Sequence, residues 1–464
     1  MDHEHQVVVV VVPLPAQGHL NQLLHFSRLV SDRQIPVHYV GAATHNRQAK
    51  SRVHGWDPLA TSNIHFHDFS IPSFPTPPPD TSASNKWPSH LIPMFEATVN
   101  LREPLAELLR LLSLTSRRVV VVHDNVMSFA AKEATLLPNG EAYAFNFCSA
   151  FGVMFSKWEA LGRPSFPGIE SLNQDLLQSS SFADCLTYDF LNCMTKLMEF
   201  SDLHVGEIYN TCYPIEGKFI DLVSQEPFLK AGNKQWAFGP LNPISVNSKS
   251  VHRCLEWLDK KPLNSVLYVS FGTTTSISDD EIRAIAIGLE KSEQKFIWVL
   301  RQADLGDVYA NQDREIQVKL PEGYEERVKG VGMIVRDWAP QLEILAHSST
   351  GGFLTHCGWN SCMESLSMGV PMAAWPMHSD QPRNTMLITE ILKVGVVARE
   401  WGNRNEVASP TEIEDAIRKL MVSDDGKDTR KRAEELGVAI RESASKEGKS
   451  TAEFNSFVAH ISRA

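Results

Sequence analysis

Val7–Pro13 is an unbroken apolar run rich in β-branched residues. It is too short for a buried helix and predicts a strand covered on both faces. After the loop Leu14–His19, apolar Leu20, Leu23, Leu24, Phe26 and Val30 recur with helical period, predicting an amphipathic helix from about Leu20 to Val30. Further short apolar runs predict strands at Val37–Gly41, Ile64–Phe69, Val119–Val122 and Glu141–Phe147. Leu91–Leu114 reads as largely helical, and Leu172–Phe200 has mixed helical character. Pro72–Asn85 is rich in proline and serine and reads as a loop. The second half repeats the scheme: strand Ser265–Phe271, loop Gly272–Ile277, a capping box at Ser278–Glu281 opening a helix to about Lys291, and strand Lys295–Leu300. A polar insertion, Ala303–Leu320, precedes strand Gly351–His356. A helix near Asn384–Leu392, strand Val394–Ala398 and helices from Thr411, Thr429 and Thr451 complete the chain. Strands alternating with helices predict an α/β fold with mainly parallel, doubly wound sheets.

At 464 residues the chain exceeds what one core supports. Gly239–Ser250, with two prolines and several small polar residues, reads as a linker. The division expected is 1–240 for an N-terminal domain, 241–251 for the linker, 252–450 for a C-terminal domain, and 451–464 for a last helix. Hydrophobic content of 43% and charged content of 21% are ordinary for a globular protein. The net charge of −11, with lysine and arginine dispersed, argues against nucleic acid as a partner. The seven cysteines are odd in number and lack paired metal-ligand spacing, which predicts a reduced, cytoplasmic compartment. No apolar run reaches membrane-spanning length, and the polar start lacks a signal pattern. A monomer is expected, and no acidic cluster suggests a metal.

The densest chemistry lies between Trp338 and Gln381. A strand ending at His356 feeds the loop Cys357–Asn360, and a helix is expected from Ser361 to Met368, stopped by Gly369 with Pro371 following. A helix N-terminus at the C-terminal edge of a sheet offers free backbone N–H groups to an anion such as a diphosphate. His356, Asn360 and Ser361 stand where side chains could add donors. Ser361 with Glu364 equally reads as a capping box, which needs no ligand. Trp338, Trp359 and His356 taken singly read as packing residues.

A second constellation stands at the N-terminal strand ends. The segment Pro15-Ala-Gln-Gly-His19 has one glycine, unlike a dinucleotide fingerprint with three, so it reads as placing His19 at the sheet edge rather than holding phosphate. Asp124 ends another strand at the same edge. It could hold one nitrogen of His19, leaving the other to take a proton from a hydroxyl. His123 is the weaker choice, since strand neighbours point oppositely.

The 44-residue block from Trp338 to Gln381, with its His-Cys-Gly-Trp-Asn-Ser core and its Gly-Val-Pro and Trp-Pro pieces, resembles the signature of the plant family 1 UDP-sugar glycosyltransferases. The resemblance implies the glycosyltransferase B architecture, two doubly wound domains facing a cleft, with the last helix packing back on the N-terminal domain. It implies that Trp338 stacks on uracil, Ala339 reads the uracil edge through its backbone, and Gln341 and Glu364 meet the ribose. His356, Asn360 and Ser361 would hold the diphosphate, with Thr273 or Thr274 assisting, and Trp359, Asp380 and Gln381 the sugar hydroxyls. It places the catalytic base at His19 and its partner at Asp124. The reaction implied inverts a UDP-α-sugar to a β-glycoside without a metal or other cofactor. Gln381 favours UDP-glucose, with UDP-xylose open.

Pro15–Leu24 and Asn360–Ser365 are most similar to the zeatin O-glucosyltransferase branch, which implies a small planar acceptor of cytokinin type. Asn146, Phe147, Met154 and Phe155 are the candidate acceptor contacts, each also readable as core. The competing readings are a flavonoid or phenolic O- or C-glycosyltransferase, another sugar-nucleotide enzyme on the same architecture, and a non-catalytic sugar-nucleotide or hormone-binding protein.

Overall fold

The computed structural model describes residues 6–53, 55–83, 86–167, 169, 186–245, 252–310 and 319–464. The expected mixed helical stretch 172–200 therefore lies partly outside the described residues, as do much of the expected linker and residues 311–318 of the polar insertion. Two parallel sheets organise the rest. The first contains β1 (Val7–Val12), β2 (Val37–Ala42), β3 (Ile64–Phe69), β4 (Arg118–Asp124), β5 (Gly140–Asn146), β6 (Gly206–Tyr209) and β7 (Lys234–Ala237), in the order β3-β2-β1-β4-β5-β6-β7. The second contains β8 (Val266–Ser270), β9 (Lys295–Val299), β10 (Gly332–Val335), β11 (Thr350–Thr355), β12 (Met372–Ala374) and β13 (Gly395–Val397), in the order β10-β9-β8-β11-β12-β13. The expected α/β, doubly wound architecture is what the chain forms.

The order of each sheet dictates where ligands go. In an open α/β sheet the crevice opens beyond the carboxyl ends of the two strands at which the winding reverses. In the first sheet these are β1 and β4, paired in register from Val7↔Arg118 to Val12↔His123. In the second they are β8 and β11, paired from Val266 to Ser270. All six valines of β1 are buried, as a strand sandwiched between helical layers requires.

The helix Gln17–Ser31 starts three residues before the position its apolar period suggested, so His19 belongs to its first turn and not to a preceding loop. The capping box at Ser278 and Glu281 forms as expected. The one expected at Ser361 and Glu364 does not. The helix there is Trp359–Met368, its N-cap is Gly358, and no side chain caps it. Ser361 is thus already inside the first turn, and Glu364 is free for other partners. Cys357, in the left-handed region at φ 62°, supplies the turn that starts the helix early.

The final helix, Lys449–Ile461, buries Phe454, Phe457 and Ile461 in one cluster with β1, Phe26, Trp236 and Phe238 of the first sheet's layer. A second hydrophobic cluster is continuous across the two halves, joining Phe151 and Phe219 to Cys357, Trp359 and Met363. The described part of the polar insertion also bridges the halves. Asp304 pairs with Arg52 at 2.5 Å and with Arg301 at 2.9 Å, while His90 donates to its carbonyl at 2.9 Å. Thr44 donates to Asp307 at 2.7 Å. No helix among the described residues is long and apolar enough to cross a membrane.

Candidate active site

A cavity occupies the crevice common to both switch points, and its wall draws on both halves. From the first sheet, the first turn of the helix after β1 delivers His19, and the end of β4 delivers Asp124 behind it. His19 Nδ1 meets Asp124 Oδ2 at 2.5 Å, and the Asp124 side chain is fully buried. Asp124 Oδ1 in turn accepts from the Val126 backbone N–H at 3.1 Å, which fixes the carboxylate. With Nδ1 engaged, Nε2 is the ring nitrogen left for a ligand. The Phe147 ring, centred 4.0 Å from the imidazole, limits its rotation.

From the second sheet, Thr273 and Thr274 after β8 and Gly358, Asn360 and Ser361 after β11 line the opposite wall. The uncapped start of Trp359–Met368 leaves its first backbone N–H groups without intrahelical partners. His356 Nε2 stands between two glycines: a Cβ added at Gly272 or Gly358 would come within 2.6 Å of it. Gly272 also has φ 79°, a conformation that disfavours side chains. Burial lowers the His356 pKa to about 4, so it offers an N–H and no charge at neutral pH. Its Nδ1 is buried and has no hydrogen-bond partner among the described residues.

The carboxylate of Glu364 accepts from Gln341 Nε2 at 2.7 Å, and the same amide reaches Ser361 Oγ at 3.1 Å. Desolvation raises the Glu364 pKa to about 7, an effect that the Gln341 hydrogen bond opposes. Trp338 and Ala339 line this end of the cavity. The guanidinium groups of Arg52 and Arg301 approach the Trp338 ring, 4.9 and 5.3 Å from its centre.

At the other end, Asp380 and Gln381 line the cavity beside His378. Asp380 accepts from Asn384 at 2.7 Å, and burial pushes its pKa up. Gln381 Oε1 accepts from the backbone N–H groups of Met377 and His378 at 2.8 and 3.0 Å, so it shapes the loop as well as facing the cavity. The indole N–H of Trp359 donates to the Asn210 carbonyl at 2.8 Å, which leaves its backbone N–H, not the side chain's, for a ligand. Asn360 Nδ2 donates to the Gly18 carbonyl at 2.7 Å, joining the two walls.

Of the four residues expected at the acceptor, only Phe147 lines the cavity. Met154 and Phe155 lie in the core that spans the two halves, where helical packing, not ligand contact, accounts for them. Asn146 is buried and donates to Glu207 at 3.1 Å. His123 is buried with its Nδ1 on the Asp124 carbonyl, away from the cavity wall. Beside Phe147 the cavity is lined by Leu14, Trp87, Leu91, Phe95, Phe190 and Met194. Trp87 and Phe190 have ring centres 3.9 Å apart. Neither stands at or just after a strand end, as Asn146 and Phe147 do. Among the described residues no group of three or more His, Cys, Asp or Glu side chains is arranged to hold a metal ion.

Comparison with known proteins fits this geometry. Residues 5–243 match the family model described as glycosyltransferase, N-terminal domain. Residues 248–428 match that of UDP-glucuronosyl and UDP-glucosyl transferase. A zeatin O-glucosyltransferase of Phaseolus lunatus is 49% identical, covering 99% of this chain and 98% of that one. A zeatin O-xylosyltransferase of Phaseolus vulgaris is 47% identical over the whole of both chains. A solved UDP-glucosyltransferase of Polygonum tinctorium, capable of glucosylating indoxyl, superposes with a TM-score of 0.76 at 27% identity over 99% of each chain. The chain is an enzyme of the UDP-glycosyltransferase family.

Proposed function

We propose that this enzyme moves glucose from UDP-glucose to a hydroxyl of a small planar acceptor of zeatin type, with inversion at the anomeric carbon. The observation that carries the reading is the His19–Asp124 pair, held at 2.5 Å with Nε2 free, in a cavity whose far wall holds Trp338, Glu364 and Gln381.

In this reading His19 Nε2 takes the proton of the acceptor hydroxyl as its oxygen attacks the anomeric carbon. Asp124 stabilises the imidazolium that forms. The bond from the anomeric carbon to the diphosphate breaks, and UDP departs with the electron pair. The charge growing on the diphosphate meets the helix start at Trp359, the neutral His356 N–H, Ser361 and the threonines of the Gly272 loop. Asp380 and Gln381 hold the sugar, Glu364 and Gln341 the ribose, and Trp338 the uracil. Attack from the side opposite UDP gives a β-glycoside.

The acceptor assignment draws on the two bean relatives and on an acceptor wall of flat aromatic side chains. The xylosyltransferase relative keeps UDP-xylose as the second donor to test. A UDP-release assay with both donors against trans-zeatin, cis-zeatin, flavonoids and simple phenols decides, with products identified by mass and NMR. A zeatin β-O-glucoside is the expected product. Turnover on phenols alone would replace the acceptor assignment.

A further inference from the structure

The helix that carries His19 places a second polar side chain in the same wall. Gln22 follows His19 by three residues, so the two share a helix face with Cβ atoms roughly 5–6 Å apart. Gln22 is only 4% exposed, yet it lines the cavity. Its Nε2 donates to the Phe147 carbonyl at 3.3 Å. A carbonyl only accepts, so this bond fixes the amide with nitrogen toward Phe147 and oxygen away from it. That oxygen, Oε1, is buried and has no hydrogen-bond partner among the described residues. A buried amide oxygen gives up its water contacts and is ordinarily paired. Leu14, Trp87, Leu91 and Phe190 line the same cavity, and none of them pairs with that oxygen.

We infer that Gln22 Oε1 is a specificity-determining contact that accepts a hydrogen bond from the acceptor substrate, in a zeatin-type acceptor from the exocyclic N–H that bears the hydroxylated side chain. This rests on the proposed acceptor role of the cavity. A carboxamide oxygen can only accept, so the matching group must be a donor. It must also lie about one helical turn from the hydroxyl at His19. An adenine bearing a short hydroxylated chain on its amine meets both conditions. A ring of the same size with an ether oxygen at that position would face Gln22 with lone pairs.

The test compares kcat/KM for trans-zeatin with that for an analogue whose exocyclic N–H is replaced by an ether oxygen, using the wild-type enzyme and Q22L. The wild type should favour the amine by roughly ten- to hundredfold, chiefly through KM. Q22L should use the two at similar rates while binding UDP as the wild type does. Wild-type enzyme that uses the ether as well as the amine overturns the inference, whatever Q22L does. An unchanged preference in folded Q22L overturns it too. If zeatin is not a substrate at all, the acceptor assignment fails on its own. The same comparison then runs on the best acceptor of the panel and its analogue lacking the second donor, with a lost preference in Q22L supporting the Gln22 contact and a retained one refuting it.

Discussion

In the proposed mechanism the basicity of His19 depends on one carboxylate. Asp124 is buried, and its contact at Nδ1 sets which imidazole nitrogen is left basic. Asp124→Asn keeps the volume but cannot stabilise the imidazolium, so kcat should fall by about 10²–10⁴-fold with the KM for UDP-sugar little changed. Steady-state kinetics on both substrates checks this. Glu364 gives a pH signature. Its folded pKa is raised from 4.5 to about 7, so the protonated form is favoured in the empty site and ionisation costs stability as pH rises through that interval. In the proposed site, ribose hydroxyls donate to the ionised form and pull the pKa back down. UDP binding near pH 7 should therefore release a proton, seen by calorimetry in two buffers, and Glu364→Gln should abolish the release. KM for UDP-sugar should fall as pH climbs through 7. The cavity positions of His19 and of residues in the Trp338–Gln381 block, and the pairing of His19 with Asp124, were legible in the sequence because these residues fall at strand ends and helix starts. Gln22 and Trp87 were not. A buried glutamine in a helix reads as an ordinary polar position, and Trp87 comes to the cavity from a loop with no periodic signal.

Elements carried by runs of β-branched residues, such as β1 and β4, were read nearly to their ends, since a strand buried on both faces has few alternatives. The start of the helix Trp359–Met368 was misread because Ser361-Cys-Met-Glu364 has the capping spacing. The left-handed Cys357 and the extended Gly358 start the helix earlier, and that shift frees Glu364 for Gln341. The final helix was expected to cross to the first half, and Phe457 lies fully buried among Phe26, Tyr143 and Trp236. Phe457→Ala should cost about 3–5 kcal/mol of stability, read by denaturant unfolding, even though the residue is distant from the chemistry.

The whole molecule works as two sheets whose switch points face one cavity, so the relative position of the halves is part of the site. The hydrophobic cluster shared by the two halves and the Arg52–Asp304–Arg301 group both hold that position. Arg52 comes from the first half, yet it approaches Trp338 of the second. Asp304→Ala leaves both arginines without their shared carboxylate and should raise the KM for UDP-sugar on the order of tenfold. None of this was legible in the sequence, which marks Ala303–Leu320 only as polar and says nothing of its partners across the cleft. In the proposed mechanism a base from one half acts on a donor held by the other. Measuring turnover and UDP affinity together in His19→Ala tests it most directly. Turnover lost by at least about 10²-fold with UDP affinity unchanged is the predicted result; turnover near the wild-type rate in the same preparation would contradict it.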